Sequence, residues 1–219
     1  ILNHFYAKAR YAIEMEATKH GYNIITCVSN ESMAKEAESL QLLSNGSVDG
    51  FIFSLAEETQ VSNELEHIET ILQQRVPVVI FDRVSDVLVC DKVILEDFSA
   101  AKRTTEYLIA EGRKRIALIG DIDNLSVGKE RTNGYLNAIS EAKDYNNEPL
   151  VVTVKPEGWL EEAVNALFEN HKDVDGVVCI DNQTGVVVIH RALSMGIDIP
   201  NDLSIIGYSA ANVLQFTPP

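Results

Sequence analysis

Val76-Pro77-Val78-Val79-Ile80-Phe81-Asp82-Arg83 sets four consecutive apolar residues between a proline and an aspartate. A strand with one wet face alternates apolar and polar side chains. An unbroken β-branched run therefore belongs to a strand covered on both faces, as in a parallel sheet flanked by helices. Comparable runs recur along the chain and predict strands at 22–28, 50–54, 77–82, 115–120, 150–154, 176–180 and 203–208. Segments of helical period fill the intervals, at about 4–19, 32–45, 62–75, 98–111, 128–143, 159–171 and 183–195. Gly21, Gly46, Gly112 and Gly196 fall just past predicted helix ends, where a left-handed residue closes the last turn. Asp97 and Ser126 stand where N-terminal caps belong. The pattern predicts an α/β fold with a doubly wound parallel sheet.

An internal echo divides it. Val48-Asp49-Gly50-Phe51-Ile52-Phe53 returns as Val174-Asp175-Gly176-Val177-Val178-Cys179, each copy following a predicted helix. With the irregular stretch at 83–97, this suggests two doubly wound lobes with a ligand cleft between them. The expected division is an N-terminal lobe over 1–82, a crossover at 83–97, a C-terminal lobe over 98–210 and a return crossover at 211–219. Both ends look cut. A helical pattern follows Ile1-Leu2-Asn3 at once, and nothing helical follows the last strand before Thr217-Pro218-Pro219.

Composition narrows the function classes. The 219 residues are 46% hydrophobic and 23% charged, and the mean hydropathy is −0.01, which excludes low-complexity and collagen-like chains. Eighteen basic against 33 acidic residues give a net charge of −15, a sign that repels phosphate backbones and anionic lipid. Any contact with DNA is therefore expected through a part outside this chain. Cys27, Cys90 and Cys179 are odd in number, lie in apolar runs and show no paired spacing, which fits buried thiols better than disulfides or a metal site. No apolar run approaches the roughly 18 residues of a membrane span, and no signal peptide opens the chain. A cytoplasmic protein without a membrane partner is expected.

In open parallel α/β sheets, ligands bind beyond the carboxyl ends of the strands. That rule selects Ser54, Asp82-Arg83, Gly120-Asp121, Asp181-Asn182 and Ser209. Carboxylates, amides and hydroxyls suit a neutral polyhydroxylated ligand. The glycine-rich loops that cradle phosphates or dinucleotides do not occur, so no cofactor is expected. Each residue has a plainer role open to it: Asp82 as a turn cap, Arg131 as a solvated or salt-bridged helix arginine, Phe5 and Tyr6 as core aromatics. No metalloprotease histidine pair and no nucleophile elbow is present, so catalysis is not expected.

Taken in order, several phrases resemble the effector-binding core of the lactose-repressor/galactose-repressor transcription factors. They are Asn3-His4-Phe5-Tyr6-Ala7, His20-Gly21-Tyr22, Val48-Asp49-Gly50-Phe51-Ile52 and Val76-Pro77-Val78-Val79 leading to Asp82-Arg83. Further along stand Gly112-Arg113-Lys114-Arg115-Ile116-Ala117-Leu118-Ile119-Gly120, Arg131-Thr132-Asn133-Gly134-Tyr135 and Ile199-Pro200-Asn201-Asp202-Leu203-Ser204-Ile205-Ile206-Gly207-Tyr208. The resemblance implies a periplasmic-binding-protein-like type I fold, truncated at both ends. It further implies a homodimer, a small carbohydrate effector held between lobes, and operator DNA bound only through an N-terminal helix-turn-helix headpiece outside this chain. Asn3, Phe5, Tyr6, Ser54, Asp82, Arg131, Asp181, Asn182 and Ser209 are the ligand-binding candidates, and replacing Arg131 is expected to weaken binding with the fold intact. Two departures stand out. Asp181-Asn182 reverses the family's usual Asn-Asp order, and Ser209 replaces the aspartate that usually follows Gly-Tyr, which removes a hydroxyl-binding carboxylate. The alternatives are a periplasmic-type sugar-binding protein and a sugar-modifying enzyme using the same cleft.

Overall fold

In the computed structural model, which describes residues 4–122, 124–143, 145, 148–154 and 159–208, the Val78-Val79-Ile80-Phe81 run is the centre strand of a three-stranded parallel sheet. The chain enters through helix α1 (His4–Lys19) and α2 (Met33–Leu43), then passes through strand β1 (Phe51–Phe53), α3 (Glu57–Ser62), α4 (Glu66–Gln73), β2 (Val78–Phe81) and β3 (Asp91–Val93). It continues through α5 (Asp97–Ala110), β4 (Ile116–Gly120), α6 (Ser126–Glu141), β5 (Leu150–Thr153), α7 (Leu160–Asn170), β6 (Gly176–Cys179), α8 (Asn182–Ser194) and β7 (Ser204–Gly207). The first sheet has the order β1-β2-β3 and the second β5-β4-β6-β7, and every pairing is parallel.

The second sheet is wound on both faces. All five residues of β4 are buried, and they sort by parity. Ala117 and Ile119 join Val164, Leu167 and Val188 of α7 and α8 on one side. Ile116 and Leu118 meet Leu108, Tyr135 and Ile139 of α5 and α6 on the other. An unbroken apolar run is what such a position requires. Tyr135 fastens this core at its polar end: its buried hydroxyl donates to the Ile116 carbonyl at 2.9 Å and accepts from the Leu150 N–H at 2.9 Å.

The first sheet departs from expectation in three places. Residues 22–28 form no ladder with any described strand, and Tyr22, Ile25 and Val28 are more than half exposed. A β-branched run becomes a strand only where a neighbour accepts its backbone hydrogen bonds. Residues 83–97, expected as an irregular crossover, contain β3, so the first sheet extends to residue 93. The helix expected at 62–75 is the shorter α4, and an unexpected helix, α3, precedes it, closed by Asn63 in a left-handed conformation (φ +56°). Here β2 still alternates, with Val78 and Ile80 turned into a core with Leu40, Ile68 and Ile71.

Gly134, from the Arg-x-x-Gly-Tyr phrase, explains how closely α5 and α6 pack. A Cβ at this position would stand 2.3 Å from the Phe98 carbonyl oxygen and 2.9 Å from the Lys102 nitrogen. Both obstacles are backbone, so no side-chain rotation relieves them. Gly134→Ala is expected to destabilise the protein by about 1–3 kcal/mol, lowering the melting temperature by several degrees in a circular-dichroism melt. Gly185→Ala, where the nearest atom lies at 3.9 Å, is expected to melt at or above wild type.

Candidate functional site

Parallel register brings the first group of polar side chains together. Phe53 pairs with Ile80, so Ser54 and Asp82 both emerge just past the ends of β1 and β2. Tyr6, on the first turn of α1, reaches them: its hydroxyl donates to Asp82 Oδ2 at 2.7 Å and lies 3.2 Å from Ser54 Oγ. The Tyr6 ring packs edge-on against Phe81 and Phe5. Asp82 is left-handed (φ +61°), a conformation aspartate tolerates better than most residues, and its N–H donates to the Val93 carbonyl at 3.0 Å. Burial raises the Asp82 carboxyl above its usual range despite the phenol's hydrogen bond. Burial likewise drives the Tyr6 hydroxyl well above the usual phenol range, so it stays a donor. Arg83 lies 5.7 Å from the Tyr6 ring centroid and pairs with Glu31 at 2.6 Å.

The second group surrounds Arg131 on α6. Its Nε donates to Asp97 Oδ1 at 2.7 Å, its Nη2 lies 2.7 Å from the same oxygen, and its Nη1 donates to the Ile180 carbonyl at the end of β6. The guanidinium stacks over the Tyr208 ring at 3.9 Å. Arg131 and Asp97 are only 8% and 7% exposed. Asp97 is thus no helix cap: it is the first residue of α5, and its carboxylate serves Arg131. The Tyr208 hydroxyl is buried with no hydrogen-bond partner among the described residues, and burial raises it to about 12.

Asp181 caps α8. One carboxylate oxygen accepts from the Thr184 N–H at 2.8 Å and the other from the Thr184 hydroxyl. Asn182 is the first residue of that helix, half-buried. Asn3 and Ser209 lie outside the described residues. The structure therefore gathers Tyr6, Ser54 and Asp82 with Phe5 alongside, sets Arg131 where its charge and that of Asp97 act on Asp82, and engages Asp181 in a helix end.

Gln60 of α3 joins the two groups' scaffolds. Its Nε2 donates to the Val84 carbonyl at 2.8 Å and to Ser126 Oγ at 3.0 Å, and its Oε1 accepts the Ser126 N–H at 3.2 Å. Ser126 begins α6 instead of capping it. A side chain from the first sheet's layer thus satisfies an N–H at the start of a helix of the second. An open pocket flanks this clasp, lined by Leu55, Thr59, Val84, Ser85, Asn124 and Lys129 among others, and Tyr6, Asp82 and Arg131 are not part of its wall.

Two parallel sheets with polar groups gathered at their carboxyl ends place the chain in a known architecture. The family model for periplasmic binding proteins and the sugar-binding domain of the LacI family matches residues 3–215. The chain belongs to this family. Catabolite control protein A of Priestia megaterium is 29% identical over all of this chain and 65% of its own length. The transcriptional repressor PurR of Vibrio atlanticus is 27% identical over 99% of this chain and 64% of its own. The chain thus spans about two thirds, and slightly less, of the relatives it matches. The Cra regulator of Pseudomonas putida, solved in complex with fructose 1-phosphate, superposes with a TM-score of 0.80 at 20% identity, covering all of this chain and 79% of that one. The relatives named are transcriptional regulators, not enzymes.

Within this LacI-family fold, Asp97, Tyr208, Glu31 and Gln60 were not singled out as site residues from sequence. Asp97 looked like a cap because the helix start is local information, whereas its partner lies 34 positions away. The pairing bears out the plainer alternative of a salt-bridged helix arginine and counts against the expectation that Arg131 can be replaced with the fold intact, since its loss leaves a buried carboxylate uncompensated. Asp97→Ala and Arg131→Ala are each expected to cost about 3–5 kcal/mol. In a double-mutant cycle by urea unfolding, the pair removed together should cost clearly less than the sum. Additive losses would mean the two do not interact.

Proposed function

We propose that this chain is the effector-sensing and dimerising part of a DNA-binding transcriptional regulator. A small molecule, a sugar or sugar derivative, binds where the carboxyl ends of the two sheets meet, and its binding is coupled to operator affinity. The observation that supports this reading most is the gathering of Tyr6, Ser54 and Asp82 at one sheet's strand ends within electrostatic reach of Arg131 and Asp97 at the other's. Fixed donors and acceptors around an aromatic ring suit a molecule rich in hydroxyls. Family regulators of the same fold are known with fructose 1-phosphate and with cellobiose. A net charge of −15 leaves DNA contact to a segment beyond this chain.

Coupling requires the effector to bind one lobe arrangement better than another. A ligand touching both groups meets that requirement, because its contacts depend on the angle between the sheets while the Gln60 clasp holds their layers together. Self-association into a homodimer is proposed together with the effector-binding reading, as the resemblance to the lactose-repressor/galactose-repressor core implies.

Titration calorimetry against neutral mono- and disaccharides is expected to find a ligand whose affinity falls about tenfold in Tyr6→Phe or Asp82→Asn, the loss of one charge-assisted hydrogen bond. In the full-length gene product, that ligand is expected to change operator affinity by a similar factor in fluorescence anisotropy. Effector binding that leaves operator affinity unchanged would return the chain to the solute-binding branch of the family. Sedimentation equilibrium of the full-length gene product is expected to show a dimer; a monomer overturns the self-association proposal.

A further inference from the structure

Two guanidinium groups near the sheet ends are each paired with a carboxylate. Arg131 is held by Asp97 at 2.7 Å. Arg83, the other guanidinium beside the Tyr6–Asp82 group, is held by Glu31 at 2.6 Å with only 11% of its side chain exposed. Counting Asp82, these five groups carry two positive and three negative charges. Even with a proton on Asp82, the set has no positive excess to offer an anion.

Glu31 is held in place at some conformational expense. Asn30 and Glu31 are consecutive non-glycine residues with left-handed φ of +51° and +63°, a conformation that persists only where surrounding contacts enforce it. Those contacts are present: Glu31 Oε2 also accepts the Glu57 N–H at 3.0 Å, and the Glu31 carbonyl accepts the Glu58 N–H at 3.2 Å. The strained turn is thereby bonded to the start of α3, with the Glu31 carboxylate against Arg83.

We infer that Glu31 is a specificity-determining residue: by neutralising Arg83 it makes the site select uncharged polyhydroxylated ligands and reject phosphorylated ones. This rests on the effector-binding reading above and names the ligand class within it. A guanidinium already paired with a carboxylate has part of its donor fork occupied and its charge compensated, so a phosphate would have to displace Glu31 to gain a charge-assisted contact. Removing the charge of Glu31 while keeping its shape leaves the Arg83 charge uncompensated without releasing the turn, because a glutamine oxygen in the place of Oε2 still accepts from the Glu57 N–H.

The test uses inorganic phosphate as the anionic probe, and fructose with fructose 1-phosphate as a matched pair, on wild type, Glu31→Gln and Glu31→Gln/Arg83→Ala. Circular dichroism verifies that the variants fold. Phosphate is expected to bind Glu31→Gln about tenfold tighter than wild type by calorimetry, with the gain lost in the double variant. Fructose 1-phosphate is expected to gain on fructose in Glu31→Gln by a similar factor. Wild type binding phosphate as tightly as Glu31→Gln, or preferring fructose 1-phosphate to fructose, overturns the inference and leaves the effector-binding reading standing. A gain in phosphate affinity in a protein that binds no carbohydrate supports the role of Glu31 and counts against the carbohydrate reading instead.

Discussion

The ion pair between Asp97 and Arg131 organises the second lobe. Two opposite charges taken out of water lose several kcal/mol of hydration each, and only tight geometry with further hydrogen bonds compensates. Here the geometry is supplied from four directions: Asp97 from the start of α5, the Arg131 stem from α6, the Ile180 carbonyl from the end of β6 and the Tyr208 ring from beyond β7. The pair can form because Gly134, one turn further along α6, lets that helix lie against the backbone of α5. Any other register between α5 and α6 would strand a buried charge.

That constraint carries over to the site. A guanidinium held on three sides is a preorganised donor: its remaining N–H groups point in fixed directions and need no reordering when a ligand arrives. The Tyr6–Asp82–Ser54 group is equally fixed, with the phenol donating to the carboxylate and lying 3.2 Å from the serine hydroxyl. Rigid groups on two separate sheets report on the angle between those sheets, which is what a coupled effector site needs. Pairing of both cationic side chains with carboxylates gives the same region its chemical character.

Much of this was legible in the sequence, and the exceptions are physical. Unbroken runs such as Ile116-Ala117-Leu118-Ile119 announced the parallel sheets because burial on both faces leaves no room for polar alternation. The positions of Ser54 and Asp82 just past β1 and β2 followed from order along the chain alone. Residues 22–28 carried the same β-branched composition yet form no ladder with a described strand, since composition does not supply a partner. β3 was hidden because its three residues include Asp91 and Lys92, which carry no apolar run. The roles of Asp97, Glu31 and Gln60 depend on partners 34, 52 and 66 positions away, beyond any local pattern. Asp181 was correctly seen at a strand end, but the helix that follows takes up its carboxylate.

The central claim is that one small molecule is held by both sheets at once. Hydrogen–deuterium exchange, with and without the tightest-binding neutral sugar, tests it most directly. The account predicts slowed exchange both in the segment around Ser54 and Asp82 and in the segment around Arg131 and Ile180. Protection confined to one of these segments, with the other exchanging as in the free protein, would contradict it.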